Sequence, residues 1–183
     1  MRQFALTLGV VCGAALAISS PSIAANPMVG GAAMYPSRNI VQNAVNSKDH
    51  TTLVAAVKAA GLVDTLSGKG PFTVFAPTNE AFARLPAGTV DNLVKPENTA
   101  TLTKILTYHV VAGRITAQQI AAMAAKHGGT ATLKTVEGEN LMFRKNGGGW
   151  WVIDAKGDKA RITIPNVMQS NGVIHVIDTV LMP

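Results

Sequence analysis

Apolar residues recur along this chain at two spacings, and the spacing changes near residue 128. Before that point the intervals are helical. After Ser37, a residue able to accept a first-turn amide, Ile40, Val41, Ala44 and Val45 fall on one helical face. A second helix is predicted after Asp49; it buries Leu53, Val54 and Val57 and ends at Gly61, where a left-handed cap carries no Cβ penalty. Leu102, Ile105 and Leu106 predict a helix over 99–108, with Tyr108 continuing the spacing. Thr116 to Gln119 reads as a capping box ahead of Ile120 and Met123, and Gly128-Gly129 stops that helix. Beyond it, alternation predicts strands over 130–135, 141–145, 150–154, 161–164 and 173–177, separated by polar or glycine-rich turns such as "NGGG" and "KGDK".

One strand is predicted within the helical half. Residues 72–76 are strand formers that run into Pro77, which cannot donate to a ladder, and a short helix follows over 79–84. Pro86, Gly88 and Pro96 divide the loop region after it. A helical first half and an antiparallel second half predict the α+β class.

The first 24 residues read differently from the rest. Arg2 precedes an uncharged run from Phe4 to Ile18, Ser19-Ser20-Pro21 breaks it, and Ser22-Ile23-Ala24 offers the small residues a signal peptidase reads. The run is shorter than the roughly 20 apolar residues that span a bilayer, so a signal peptide cleaved near Ala24 is expected. The single cysteine, Cys12, lies inside it behind Val11, where lipid attachment would need a small residue. The exported chain would hold 159 residues, the 183 less the first 24, with no cysteine and no transmembrane segment. Residues 25–37 read as an N-terminal lead-in and 38–183 as one domain. Without Arg2 the formal charge of +6 becomes +5, scattered singly apart from Arg144-Lys145. No basic block tracks a phosphate backbone, which argues against nucleic acid as a partner.

Candidate chemistry is sparse. Thr78 sits at a helix N-cap position with Asn79 and Glu80 in the first turn, an arrangement that helix-end electrostatics explain without a reaction. His50, His109, His127 and His175 show no metal-ligand spacing, and no cofactor motif occurs. Alternation puts Val173, His175 and Ile177 on one strand face, which makes His175 a core residue. Ser170, His109 and Asp178 could be assembled into a triad, but no nucleophile elbow supports one. Trp150 and Trp151 point to opposite faces of a strand, and Trp150 is expected to be the exposed one, available to a partner or a glycan.

Three stretches together are distinctive: "FTVFAPTNEAF" (72–82), "LTYHVV" (106–111) and "NGVIHVIDTVLMP" (171–183). In order and spacing the chain resembles the fasciclin domain family over about residues 38–183, and is most similar to small secreted single-domain bacterial members, including nodulation-associated proteins of rhizobia. The resemblance implies a wedge-shaped β-sandwich of short, mainly antiparallel strands with helices packed on it. It also implies secreted or periplasmic, non-catalytic work in cell adhesion or protein interaction, with a cell-surface or matrix macromolecule as partner. The family's Tyr-His motif falls on Tyr108 and His109, flanked by Leu106, Val110 and Val111; in animal members it is associated with integrin binding. Phe75, Pro77, Thr78 and Asn79 of the first stretch, and Asn171, Gly172, His175 and Asp178 of the last, match structural motif positions. Asn166 stands where some animal members carry an aspartate, and no Arg-Gly-Asp occurs, so integrin binding does not carry over. The alternative reading is a glycan- or small-ligand-binding protein, marked by an exposed Trp150 beside a polar groove.

Overall fold

The computed structural model describes residues 26–183. The expected signal segment, with Cys12 and Ala24, lies outside the described residues. The lead-in forms a hairpin of β1 (Met28–Val29) and β2 (Ala32–Ala33), and its Val29 and Met34 are buried in the core. Next come α1 (Ile40–Ala44), a 3-10 turn at Lys48–His50, α2 (Thr51–Ala59) and α3 (Val63–Ser67). The cap of α1 is Asn39, not Ser37. Its Oδ1 accepts from the Gln42 amide at 2.8 Å while Gln42 Oε1 accepts from the Asn39 amide at 3.0 Å, closing a capping box two residues later than expected. Val45, expected on the buried face, follows the helix and is 49% exposed.

Strand β3 (Phe72–Pro77) leads into α4 (Asn79–Ala83), then α5 (Thr89–Leu93) and α6 (Thr99–Tyr108). The region divided by Pro86, Gly88 and Pro96 thus contains a short helix. After β4 (Val110–Ala112) and α7 (Ala117–Lys126) come β5 (Thr130–Lys134), β6 (Asn140–Asn146), β7 (Gly149–Ile153), β8 (Lys159–Gln169) and β9 (Gly172–Ile177).

Seven strands form one sheet in the order β4-β3-β9-β8-β7-β6-β5. Its far edges meet again: Val111 bridges Thr135, and the Val136 amide donates to the Val110 carbonyl at 2.7 Å, so the sheet curls to a nearly closed barrel. Every pair is antiparallel except β3 with β9, which run parallel from Phe72↔Gly172 to Pro77↔Ile177. All six residues of β9 and five of the six in β3 are buried, as expected of strands covered on both faces. Pro77 ends the ladder. The Thr78 amide donates to the Ile177 carbonyl, and Thr78 Oγ1 then accepts from the Ala81 amide at 3.3 Å to start α4. The turn at 77–78 is a structural corner.

The alternating faces of β3 and β9 feed two cores. Val74, Ala76, Ile174 and Val176 pack with Leu53, Val57, Leu66 and Leu106 beneath the helices. Phe75 and Ile177 pack inside the barrel with Tyr108, Ile120, Phe143, Val152 and Leu181. Strand β8 is longer than its predicted segment because it passes two register irregularities around Ile164 and Val167. There Asn166 adopts φ +58°, a backbone region that asparagine tolerates better than most residues.

Gly172 begins β9 where the backbones approach most closely. A Cβ there would overlap the Phe72 carbonyl and press on Ile40 Cδ1 at 3.1 Å. Gly172→Ala should therefore lower unfolding free energy by roughly 2–3 kcal/mol, since a packed backbone cannot yield to the added methyl. Thr78→Ala should lower it by about 1 kcal/mol through the lost cap. Urea melts of both variants check this, with the glycine variant the weaker.

Candidate functional site

The last turn of α6 delivers Tyr108 and His109 into the seam between the two cores. Leu102, Ile105 and Leu106 fix that helix on the sheet, and Val110 and Val111 continue directly into β4. Tyr108 is fully buried. Its hydroxyl accepts from the Ala155 amide at 2.9 Å, and the Asn140 carbonyl lies 3.5 Å away. His109 is 2% exposed. Its Nε2 accepts from the Leu181 amide at 3.0 Å, so that nitrogen carries no proton, and Nδ1–H donates to the Ile105 carbonyl at 2.8 Å. Protonating Nε2 would break the bond to Leu181. Burial accordingly pushes the His109 pKa down to about 4, opposed by the Ile105 carbonyl and the Asp154 carboxylate.

Asp154 completes the latch. Oδ1 accepts from the amides of Lys156 and Asp158 at 3.0 and 2.9 Å, and Oδ2 accepts from the Met182 amide at 3.1 Å. His109 and Asp154 thus hold consecutive amides of the C-terminal segment, while Tyr108 holds the turn that Asp154 organises. The sequence reading assigned Asp154 no role, although the spacing in "DAKGD" is that of an Asx turn.

The other motif residues are also tied to backbone. His175 is buried, stacks on Phe75 at 5.5 Å, donates from Nε2 to the Ile115 carbonyl and accepts the Asn166 amide at Nδ1. Asn171 Oδ1 accepts the Ile40 amide at 3.0 Å, and its Nδ2 donates to the Leu66 and Gly68 carbonyls at 2.8 Å, joining the start of α1 to the end of α3. Asn79 accepts from Thr52 and donates to the Lys48 carbonyl, fixing the start of α2. Asp178 accepts the Arg161 amide at 2.8 Å and lies 3.9 Å from Arg84. The pairs Asn43–Gln169 and Ser47–His50, which the sequence reading did not single out, bond within the same interior.

This geometry changes the reading of the interaction candidates. Tyr108 and His109 are enclosed, with the histidine's two ring nitrogens committed, so in this conformation they support a surface and cannot supply one. Leu106, His109 and Val110 come together at the base of an apolar cleft of about 40 Å³. Its other wall is formed by Val41, Val54 and Val63 of α1–α3, all half-buried, with Lys58 at the rim. Val111 points instead into the barrel core. Trp150 is not the outward tryptophan: it packs against that core on the Val152 side of β7, while Trp151 lines an outer depression with Arg144 and Lys159. Val152 and Asp154, which share the Trp150 face, are buried, which makes it the inner face of β7 and not the outer one expected from alternation.

No hydrogen bond joins Ser170, His109 and Asp178 among the described residues. No group of three or more histidine, cysteine or acidic residues among them could hold a metal, and no helix is long and apolar enough to cross a membrane.

The sequence profile of the Fasciclin domain matches residues 48–183. The chain is 51% identical over 156 residues to Protein sll1483 of Synechocystis, covering 85% of this chain and 79% of that one. It is 36% identical over 191 residues to the Immunogenic protein MPB70 of Mycobacterium bovis, covering 93% and 90%. A FAS1 domain pair from the insect cell adhesion molecule Fasciclin I superposes with a TM-score of 0.71 at 19% identity; the match covers 80% of this chain and 51% of that structure.

Burial lowers the pKa of His50, His109 and His175 alike. The unfolded chain takes up protons near the ordinary 6.5, whereas the folded one resists. Stability from these rings is therefore full above 6.5 and falls as pH drops below it, for His109 down to about 4. For His109 alone the loss across that window is about 3 kcal/mol. Urea melts from pH 7 to 4 should show this decline. His109→Gln, less stable at neutral pH, should show a shallower one; parallel profiles for the two proteins would contradict the assignment.

Proposed function

Because this chain belongs to the fasciclin domain family, we propose that it works outside the cytoplasm as a non-catalytic adhesion or interaction module. It takes a protein partner of the cell surface or matrix at the apolar cleft over the Tyr108–His109 junction. One observation carries this reading: the motif's polar groups are consumed in holding backbone, while the half-buried valines above them leave an open apolar depression with a single rim charge. A depression of this kind suits the buried apolar anchor that dominates many protein interfaces. The cell adhesion molecule named for the insect structure supports the same role. Export rests on the Arg2-to-Ala24 pattern. A domain beginning near residue 38 is supported by α1, whose first amide is held by Asn171.

The cleft is tested by placing charge at its rim without touching the latch. Val54→Asp should melt within about 1 kcal/mol of the parent, as a change at a half-exposed position. It should also bind immobilised cell-envelope or matrix protein at least tenfold more weakly. Parent-level binding by a folded Val54→Asp protein would move the site elsewhere. For export, N-terminal sequencing of protein recovered outside the cytoplasm should begin at Ala25; an intact Met1 there would contradict the cleavage.

A further inference from the structure

The outer face of β5–β8 carries charge of one sign. Inward positions are apolar: Ala131, Leu133, Leu141, Phe143, Val152, Ala160 and Ile162 are all buried. The outward positions between them hold Lys134, Arg144, Lys159 and Arg161, together with threonine, asparagine, Met142, Ile153 and Trp151, and no aspartate or glutamate. Of the nearby carboxylates, the exposed Asp158 precedes Lys159 in the turn between β7 and β8, and the others are engaged elsewhere. Glu137 and Glu139 lie against Lys104, and Asp178 takes the Arg161 backbone amide and faces Arg84. None of the four outward cations makes an ion pair among the described residues.

Register places these groups in a row. Arg144 pairs with Trp151, and Trp151 with Arg161, so two guanidinium-bearing strands flank the indole strand. Adjacent strands lie about 4.8 Å apart, which puts the two arginine backbones roughly 10 Å from each other. The side chains are oriented in advance. Trp151 Nε1 donates to the Asn146 carbonyl at 3.3 Å, and Arg144 Nε donates to Thr130 Oγ1 at 3.0 Å. Arg161 reaches towards Gly149, its Nε 3.5 Å from where a Cβ on that residue would sit, an ordinary contact distance. A depression of about 310 Å³ opens here, lined by Trp151, Ile153, Arg144, Lys145, Asn146 and Lys159.

We infer that this face binds an acidic polysaccharide, one sugar ring stacking on Trp151 and its neighbours' carboxylates meeting Arg144, Lys159 and Arg161. A pyranose offers an apolar C–H face to an indole and charge at its rim, and the depression supplies both complements. Single-stranded nucleic acid fits less well. Its general binders present successive aromatic platforms along a cationic groove, and this face has one outward aromatic ring. The inference goes beyond the cleft reading and involves a different surface.

The test is titration of the purified protein with polygalacturonate fragments, alongside neutral dextran and an oligo-dT strand. Polygalacturonate should bind, weaken with added salt and exceed both controls. Trp151→Ala should weaken it about tenfold, the equivalent of 1.4 kcal/mol. Arg144→Gln, Lys159→Gln and Arg161→Gln combined should weaken it at least as much; these exposed side chains leave the fold intact if the tryptophan variant does not. Val54→Asp should bind polygalacturonate like the parent, which separates failure here from failure of the cleft. Affinity no higher than for dextran, tighter binding to oligo-dT, or full affinity in the triple variant would overturn the proposal.

Discussion

The parallel pairing of β3 with β9 joins residues about 100 positions apart, and both cores and nearly every helix are built on it. Neither strand has a solvent face. Each sends alternate side chains to the helical layer and to the barrel interior, so a slip of one residue would exchange the two cores. Two features fix the register. At one end Gly172 admits the Phe72 carbonyl where no other residue fits; at the other Pro77 closes the ladder and the chain turns into α4. Contacts this distant in sequence cost loop entropy before they contribute, so the central strands need buried apolar area on both faces to form.

Segments laid on such a pair still leave backbone groups unpaired, and buried or half-buried polar side chains satisfy them. Asn79, Asn171, His109, His175, Asp154 and Asp178 each bond to backbone amides or carbonyls of another segment. Each bond contributes on the order of 1 kcal/mol net, but leaving its partner buried and unpaired would cost more. The histidines suit this because a neutral imidazole donates at one nitrogen and accepts at the other, joining two segments at once. A motif of polar residues can therefore mark a scaffold without marking a reaction, and the two surfaces proposed for partners, the valine-rimmed cleft and the cationic face of the barrel, are lined mainly by other residues.

Much of this was legible in the sequence. Helical spacing located α2, α6 and α7, alternation located the strands of the second half, and the Thr78 cap followed from the residue types around Pro77. What escaped depended on contacts between distant segments. Asn39 rather than Ser37 caps α1 because Asn171, 132 positions further on, holds the first amide of that helix in place. The bulge at Asn166 lengthens β8 beyond what local alternation shows. The orientation of β7 is not legible locally, because alternation separates two faces without saying which one the barrel encloses. Tyr108 and His109 were found through their motif, but their burial depends on a C-terminal segment that no local pattern connects to them.

The central claim, that the motif histidines are neutral bridges between backbone segments, is tested most directly by long-range 15N–1H correlation spectra of the imidazoles during an acid titration. The account predicts His109 as the Nδ1–H tautomer, unchanged from pH 7 to 5 in the folded protein, and His175 as the Nε2–H tautomer at pH 7. A His109 ring that titrates near 6.5 while the fold persists would show it exposed to water and free of Leu181, and would contradict the account.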